Sequence, residues 1–330
     1  MSCENIKMTV GYPWAMPPYS RPIQKVKTDI IDKEGCYGKK EVLTGAIPSM
    51  PDLRDYSDRH PRIRELIIRG DKLQAMDSVK SDELPNKVDL SDGFSPVEDQ
   101  ENYGSCTAQA AVGLLEYMER KANGKHIDAS RMFLYNATKW LLGWTGDTGA
   151  FTRTTMAALR LFGCPPEKYW PYETIGLDQD PTGYVFSLAK AYSGITYFRH
   201  DAGPNTEPAC ALASVKKNLA AGIPSLFCFY GFNSFNDGGG DGNIPLPGPN
   251  EEAKWGHAVC AAGYNDDYGI ENTNTGEVTT GAILFRNSWG EEWGEDGYGH
   301  IPYEYFLRRY CWDMWSILSA EWVDTGVFGL

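Results

Sequence analysis

The chain has 330 residues, of which 42% are hydrophobic and 23% charged, a composition typical of folded globular proteins and not of disordered ones. Asp and Glu total 44 against 31 Lys and Arg, and the formal net charge of −13 opposes binding to nucleic acid or to anionic lipid. No stretch approaches the roughly 20 apolar residues needed to span a bilayer, so we expect no membrane segment.

The N-terminal sequence and the spacing of the cysteines indicate the cellular compartment in which we expect the protein. The first 20 residues lack the basic start, the apolar run and the small-residue cleavage site of a secretory signal. The eight cysteines include no Cys-x-x-Cys pair and no Cys/His cluster at zinc spacing. We therefore expect a reducing, cytoplasmic setting, with non-classical export left open, and neither a bound metal nor a cofactor.

The sequence contains two regions that differ in composition and in the periodicity of their apolar residues. Residues 1 to about 80 carry many Pro and charged residues and little periodic apolar pattern, with one short helix predicted at 62–73. From residue 84 onward the predicted elements become dense and well capped. We therefore predict an N-terminal segment, 1–83, attached to a main domain, 84–330.

The main domain begins with helical patterns and ends with strands. Apolar residues at three- and four-residue steps predict a helix from Cys106 to about residue 122, with Ser105 as its N-cap and Gly124 as its stop. Further helices are predicted at 130–142, 152–162 and 212–221, and strands at 225–230, 257–264, 282–287 and 297–301. A helical half, about 90–200, followed by a β-rich half, about 201–310, indicates an α+β fold with a site between the halves.

Three residues in these elements suggest nucleophilic chemistry. Cys106 lies in the first turn of its helix, where free backbone N–H groups and the helix dipole stabilise a thiolate. His257 opens a strand in the other half, after Gly256, and could serve as the base. Asn287 could accept a hydrogen bond from one imidazole nitrogen, while Trp289 could shield that bond from water. Taken singly, each of these residues is more often a buried structural side chain.

The order Gln100, Cys106, His257, Asn287 resembles that of the papain-like cysteine peptidases, in which a Gln, the nucleophile, the base and the orienting Asn follow one another. The resemblance covers residues 84–305. The runs Gly-Ser-Cys-Thr-Ala at 104–108 and Pro-Asp-x-Arg-Asp at 51–55 are similar to those of a bacterial-type branch. The resemblance implies a papain-like fold, with a cleft between a helical half and a β-barrel-like half.

The same resemblance implies roles for individual residues. Cys106 would attack a peptide carbonyl as thiolate and form a thioester, and His257 would protonate the leaving amine. The Gln100 amide would stabilise the oxyanion together with the Cys106 backbone N–H. Other residues at these motifs would bind substrate or shield the site: Gly104, Ser105, Gly256 and Trp289. The substrate would be a protein or peptide.

Departures from the family pattern also matter. Tyr103 and Thr107 stand where papain and the cathepsins usually have Cys and Trp, so the disulfide of that region cannot form. Gly256 replaces the acidic or small polar residue often found before the histidine. The long helical propeptide signature of cathepsins is absent from residues 1–83.

Several alternatives remain open from sequence. The same residues would serve a papain-fold acyltransferase or transpeptidase, which product analysis would distinguish. A catalytically silent peptide-binding protein is disfavoured because all four catalytic positions are intact, and a metal-dependent hydrolase lacks ligands. The Gly- and Asp-rich loop at 237–243 lacks the spacing of a calcium loop.

The N-terminal segment calls for its own hypothesis. Its prolines, especially around 47–55, favour an extended backbone able to lie in a groove. We predict that part of residues 1–80 lies along the cleft and inhibits the enzyme, as in a zymogen. A strap that stabilises the helical half is the alternative.

Overall fold

The computed structural model describes residues 23–31, 37–50, 52, 54–69, 84–191, 193–202, 206–237 and 241–321. The α-helices of this part are α1 (Pro61–Arg69), α2 (Cys106–Asn123), α3 (Arg131–Leu142), α4 (Thr152–Phe162), α5 (Gly183–Ala191), α6 (Pro208–Ala220), α7 (Ser234–Asp237) and α8 (Tyr303–Leu307). Its strands are β1 (Gln24–Ile31), β2 (Tyr37–Thr44), β3 (Ala46–Ile47), β4 (Lys87–Asp89), β5 (Ala150–Phe151), β6 (Gly194–Arg199), β7 (Ser225–Gly231), β8 (Trp255–Glu271), β9 (Val278–Arg286), β10 (Tyr298–Pro302) and β11 (Cys311–Glu321). In the described ranges, none of the helices is both long and apolar enough to cross a bilayer.

The strands form one large sheet and two small ones. Antiparallel pairing gives the order β10-β9-β8-β7-β11-β6, with β4 added along β8. In the first small sheet β1 pairs with β2 antiparallel, and in the second β3 pairs with β5 parallel. The N-terminal segment therefore contributes strands to both small sheets.

The central strands are buried on both faces because their side chains alternate between two cores. Leu226 and Cys228 of β7 belong to a core shared with helices α2, α3 and α4. Phe227 and Phe229, the residues between and after them, belong to a second, aromatic core shared with α6 and α8. This double burial fixes the register of the sheet, because a one-residue slip would exchange the two sets.

Helix α2 runs through the first core. It spans 18 residues, and almost every side chain between Cys106 and Met118 is buried. Gly124 ends the helix with φ of 67°, as the sequence predicted, since the left-handed region favours glycine. Ser105 occupies the N-cap position, but its hydroxyl makes no cap bond and lies 2.8 Å from the Tyr172 hydroxyl instead.

Comparison with the predicted elements shows agreement for some helices and strands, whereas helices α5, α7 and α8 were not predicted. Helices α2, α3 and α4 and strands β7 to β10 lie where the sequence predicted them, with β8 longer by several residues. Strand β6 lies inside the predicted helical half, and β11 lies beyond residue 310. The pattern of β11 is broken by a register shift and by Asp313 with φ of 52°, which hides its alternation. The predicted helix at 62–73 corresponds to α1, and its end lies outside the described residues.

We predict that Gly263→Ala destabilises the main domain, because a Cβ there would lie 2.2 Å from the Val88 carbonyl oxygen and push β4 away from β8. The expected loss in the free energy of unfolding is about 1–3 kcal/mol, measured by thermal or urea unfolding. Gly269→Ala is the matched control, since a Cβ at that position of the same strand meets no atom closer than 3.9 Å. Equal stability of the two variants would contradict the prediction.

Candidate active site

Cys106 is the first residue of α2 and has no exposed surface. Its helix start points at strand β8, and the backbone N–H groups of Ala258 and Gly45 lie near enough to the thiol to oppose the rise of its pKa. Ala258 directly follows His257. The thiol of the first half of the domain therefore lies against the strand that carries the histidine.

His257 is held by two side chains that follow strand β9. Its Nε2 lies 2.8 Å from Asn287 Oδ1. Because an amide oxygen can only accept a hydrogen bond, the proton of the imidazole is assigned to Nε2, which donates. The Trp289 indole stacks on the imidazole with ring centroids 4.6 Å apart and covers this bond. The Nδ1 atom is buried and has no hydrogen-bond partner among the described residues, which leaves its lone pair available as a base.

Gln100 joins the loop before α2 to the loop after β9. Its backbone N–H donates to the Ser288 carbonyl at 2.8 Å, and its Oε1 accepts from the Ser288 hydroxyl at 2.7 Å. These bonds turn the Gln100 amide nitrogen away from Ser288. That nitrogen donates to the carbonyls of Tyr103, at 2.8 Å, and Leu43, at 2.7 Å.

The N-terminal segment covers these groups. Leu43, Thr44 and Ala46 are all buried, and the Gly45 carbonyl accepts from the Ala150 N–H at 2.9 Å. A Cβ on Gly45 would lie 2.5 Å from the Gly104 carbonyl oxygen, so the backbone approaches the turn before Cys106 as closely as only glycine allows. The sequence pointed to residues 47–55, and the contacts at the thiol come from positions just before them.

The remaining predicted residues line the same place. Gly256 faces the segment, since a Cβ on it would lie 2.6 Å from the Ala46 carbonyl oxygen. The Gly104 N–H donates to both carboxylate oxygens of Asp147 at 3.1 Å. The structure thus brings all eight predicted site residues to one region. Asp147 was not anticipated, because a lone Asp in a glycine-rich loop carries no motif.

Burial controls the protonation of the pair. It raises the pKa of the Cys106 thiol to about 11, although the neighbouring backbone N–H groups lower it. It lowers the pKa of His257 to about 4, partly opposed by the Asn287 hydrogen bond. In this covered state both groups are therefore neutral at pH 7. Access of water and substrate would be needed for a thiolate and an imidazolium to form.

One group of carboxylates in the described ranges is close enough to hold a metal ion: Glu98, Glu116 and Asp128. Burial raises the pKa of Glu116 to about 8 and that of Glu98 to about 7. Glu98 is ion-paired with Arg131, and Glu116 accepts from the Ala129 N–H at 2.8 Å. These partners explain the cluster without a cation. The loop at 237–243 lies partly outside the described residues.

Comparisons with known proteins agree with this geometry. The pattern of the family described as papain family cysteine protease matches residues 84–308. A peptidase C1-like protein of Acanthamoeba polyphaga mimivirus is 30% identical over 281 residues, which cover 83% of this chain and 86% of that protein. Cathepsin K of Gallus gallus is 30% identical over 210 residues, 62% of this chain and 54% of the relative.

A solved structure supports the same conclusion. The crystal structure of xylellain, a cysteine protease from Xylella fastidiosa, superposes with a TM-score of 0.65 at 29% identity and covers 83% of this chain and 95% of that one. The α+β, papain-like fold expected from the sequence is thereby confirmed. The chain belongs to the papain family of cysteine proteases and is a hydrolase of that family.

Proposed function

We propose that this chain is a cysteine endopeptidase whose nucleophile is Cys106 and whose base is His257. The observation that carries the proposal is the bond between His257 Nε2 and Asn287 Oδ1, which leaves Nδ1 without a partner in the part of the chain that the structure describes. The thiol lies against the next residue of the same strand, Ala258. A base with one nitrogen fixed and the other free, beside a thiol, is the arrangement that nucleophilic catalysis requires.

The reaction divides into two steps. Cys106 Sγ attacks the peptide carbonyl as thiolate, and His257 gives its proton to the leaving amine, so that a thioester remains. His257 then takes a proton from water, whose oxygen attacks the thioester; the C–S bond breaks, the carboxylic acid product leaves, and the Cys106 thiolate beside the His257 imidazolium is regenerated. The Gln100 amide and the Cys106 backbone N–H donate to the oxyanion, and removal of one such donor costs about 3 kcal/mol. Asn287 orients the imidazole and transfers no proton.

We predict that Cys106→Ala abolishes peptide hydrolysis, a loss of at least about 10³-fold, and abolishes labelling by an epoxide-type thiol inhibitor. Cys106→Ser should be nearly as inactive, because a hydroxyl ionises far less readily than a thiol. Mass spectrometry of the products of the native chain also distinguishes a peptidase, which transfers the acyl group to water, from an acyltransferase, which transfers it to an amine. Cys210→Ala is the control, since Cys210 is the most exposed of the described cysteines. Retained turnover by Cys106→Ala would refute the role of this residue.

We further propose that the N-terminal segment inhibits the same site by occupying it. The carbonyl of Leu43 takes the amide N–H of Gln100 that a developing oxyanion would use. At the thiol the segment presents the N–H of Gly45, which cannot be attacked as a carbonyl carbon can. Both features explain how the segment blocks the site without becoming a substrate.

Polar contacts beyond the cleft hold the segment in place. The Asp55 carboxylate forms ion pairs with Arg153 and with Arg199, the latter at 3.2 Å. The Ser49 N–H donates to Asp313 Oδ2 at 2.8 Å. All of these groups are at least partly buried, which makes the ion pairs stronger than pairs exposed to water. The Pro-Asp-x-Arg-Asp run therefore contributes its last residue to anchoring.

We predict that Gly45→Val opens the cleft of the full chain. The added Cβ would meet the Gly104 carbonyl oxygen at 2.5 Å and the Gly149 Cα at 3.0 Å, and neither backbone can move freely. We expect this clash to destabilise the covered state by about 1–3 kcal/mol relative to the open state. The rate at which the inhibitor labels Cys106 would then rise about ten-fold. Gly38→Val is the matched control, because a Cβ there meets only the Ile30 side chain at 3.5 Å. A strap without inhibitory effect would give lower stability and no faster labelling.

The pKa of His257 also predicts how pH affects opening. In the covered state the pKa is lowered to about 4, and no charged group is among its causes. In a Cys106→Ala chain no thiol can pass its proton to the imidazole, and a hydrated imidazole titrates near 6.5, so the open state binds a proton from solvent more readily than the covered one. As pH falls from about 7 towards 4, the covered state should therefore lose stability relative to the open one. The rate at which a protease cleaves the segment in Cys106→Ala, divided by the same rate in Cys106→Ala with Gly45→Val, should rise over this range, and a flat ratio would contradict this linkage.

A further inference from the structure

The segment places one ammonium group beside the catalytic residues. Lys40 of β2 forms an ion pair with Asp99 Oδ2, and its Nζ donates to the Trp289 carbonyl at 3.1 Å. The neighbouring Lys39 behaves differently: it is mostly exposed and pairs with Asp29 of the same hairpin at 3.6 Å. Adjacent strand residues point to opposite sides, so Lys40 is the one that faces the catalytic domain.

The two oxygens that receive this ammonium are attached to catalytic elements. Asp99 directly precedes Gln100, and its backbone forms an antiparallel bridge with Trp289. Trp289 in turn stacks on His257. Gly290, with φ of 85°, lies beside this ion pair: a Cβ there would be in ordinary contact with Asp99 Oδ2 at 3.5 Å and Lys40 Nζ at 3.6 Å.

The surroundings of Asp99 are electronegative and contain space. A cavity of about 210 Å³ is lined by Glu98, Asp99, Glu101, Arg131, Tyr172 and Glu173. Four carboxyl groups therefore face one guanidinium group, and Glu98 and Glu167 already pair with that guanidinium. Asp99 Oδ1 accepts from the Glu101 N–H at 2.8 Å, which leaves Oδ2 directed towards Lys40.

We propose that Asp99 Oδ2 and the Trp289 carbonyl form a subsite for a basic side chain of the substrate, and that Lys40 occupies it while the segment is bound. The proposal rests on the proposed function and names its substrate class: peptides with Lys or Arg close to the cleaved bond. When Lys40 leaves with the segment, both oxygens lose this donor. A substrate ammonium or guanidinium restores the same contacts.

The chemistry of the site indicates which part of the substrate supplies the basic residue. His257 protonates the leaving amine, so the fragment that follows the cleaved bond lies on the histidine side. Trp289 covers that imidazole, and its carbonyl belongs to the subsite. The basic residue is therefore expected within the first few positions after the cleaved bond.

The test uses the full chain carrying Gly45→Val, with Gly45→Ala as a second, milder opening variant. Peptides that differ only by Lys, Gln or Glu at each of the first three positions after the cleaved bond are compared by kcat/KM. At one position Lys should exceed Gln about five-fold, the value of a half-exposed ion pair. Asp99→Asn should remove this preference through KM, and Asp99→Lys should transfer it to Glu.

Controls separate this inference from the function on which it rests. Asp92→Asn makes the same change in net charge at an exposed position and should keep the Lys preference. Binding of the same peptides is also measured with Cys106→Ala in the Gly45→Val chain. Turnover with equal rates for Lys and Gln, unchanged by Asp99→Asn, overturns the subsite and leaves the peptidase proposal standing. No turnover together with Asp99-dependent binding of the Lys peptide supports the subsite and overturns the peptidase proposal. Absence of any Lys preference in binding also overturns the subsite.

Discussion

The double hydrogen bond between Gln100 and Ser288 is the contact on which the site depends, because it joins loops 188 residues apart in sequence. Gln100 leads into the helix that carries Cys106, and Ser288 lies between Asn287 and Trp289. Both bonds are buried, so loss of either partner would leave a polar group without compensation. This pair of bonds therefore sets the distance between the proposed nucleophile and the groups that hold the proposed base.

The covered state gives the proposed inhibition a chemical basis. Burial moves the pKa of Cys106 up and the pKa of His257 down, and both shifts favour the uncharged forms. In the proposed inhibition, the segment that excludes water thus lowers the nucleophilicity of the thiol as well as blocking its access. The strength of the block and the protonation of the site are consequences of the same burial.

The segment is held by two kinds of contact that act at different places. Within the cleft it uses backbone groups, such as the parallel pairing of Ala46 with Ala150, which depend little on side-chain identity. On either side of this stretch the segment forms ion pairs: Lys40 pairs with Asp99, and Asp55 pairs with Arg153. Backbone pairing suits a groove that must also accept varied peptides, whereas charges select one register of the chain.

From the sequence alone, helices α2, α3 and α4 and the proposed nucleophile with its partners could be identified, because their signals are local. Cys106 at a helix start, the glycine that stops that helix, and the order of Gln100, His257 and Asn287 can all be read without knowing any contact. Only the tertiary structure decided that β6 and β11 complete the sheet, that residues 43–46 lie on the thiol, and that Lys40 meets Asp99. These features arise from pairing between distant strands: residues 42–47 are buried in an unbroken run without alternation, and a bulge interrupts the alternation of β11. Such pairing leaves no periodic pattern in the sequence, because the energy comes from the partner strand and not from the residues of the strand itself.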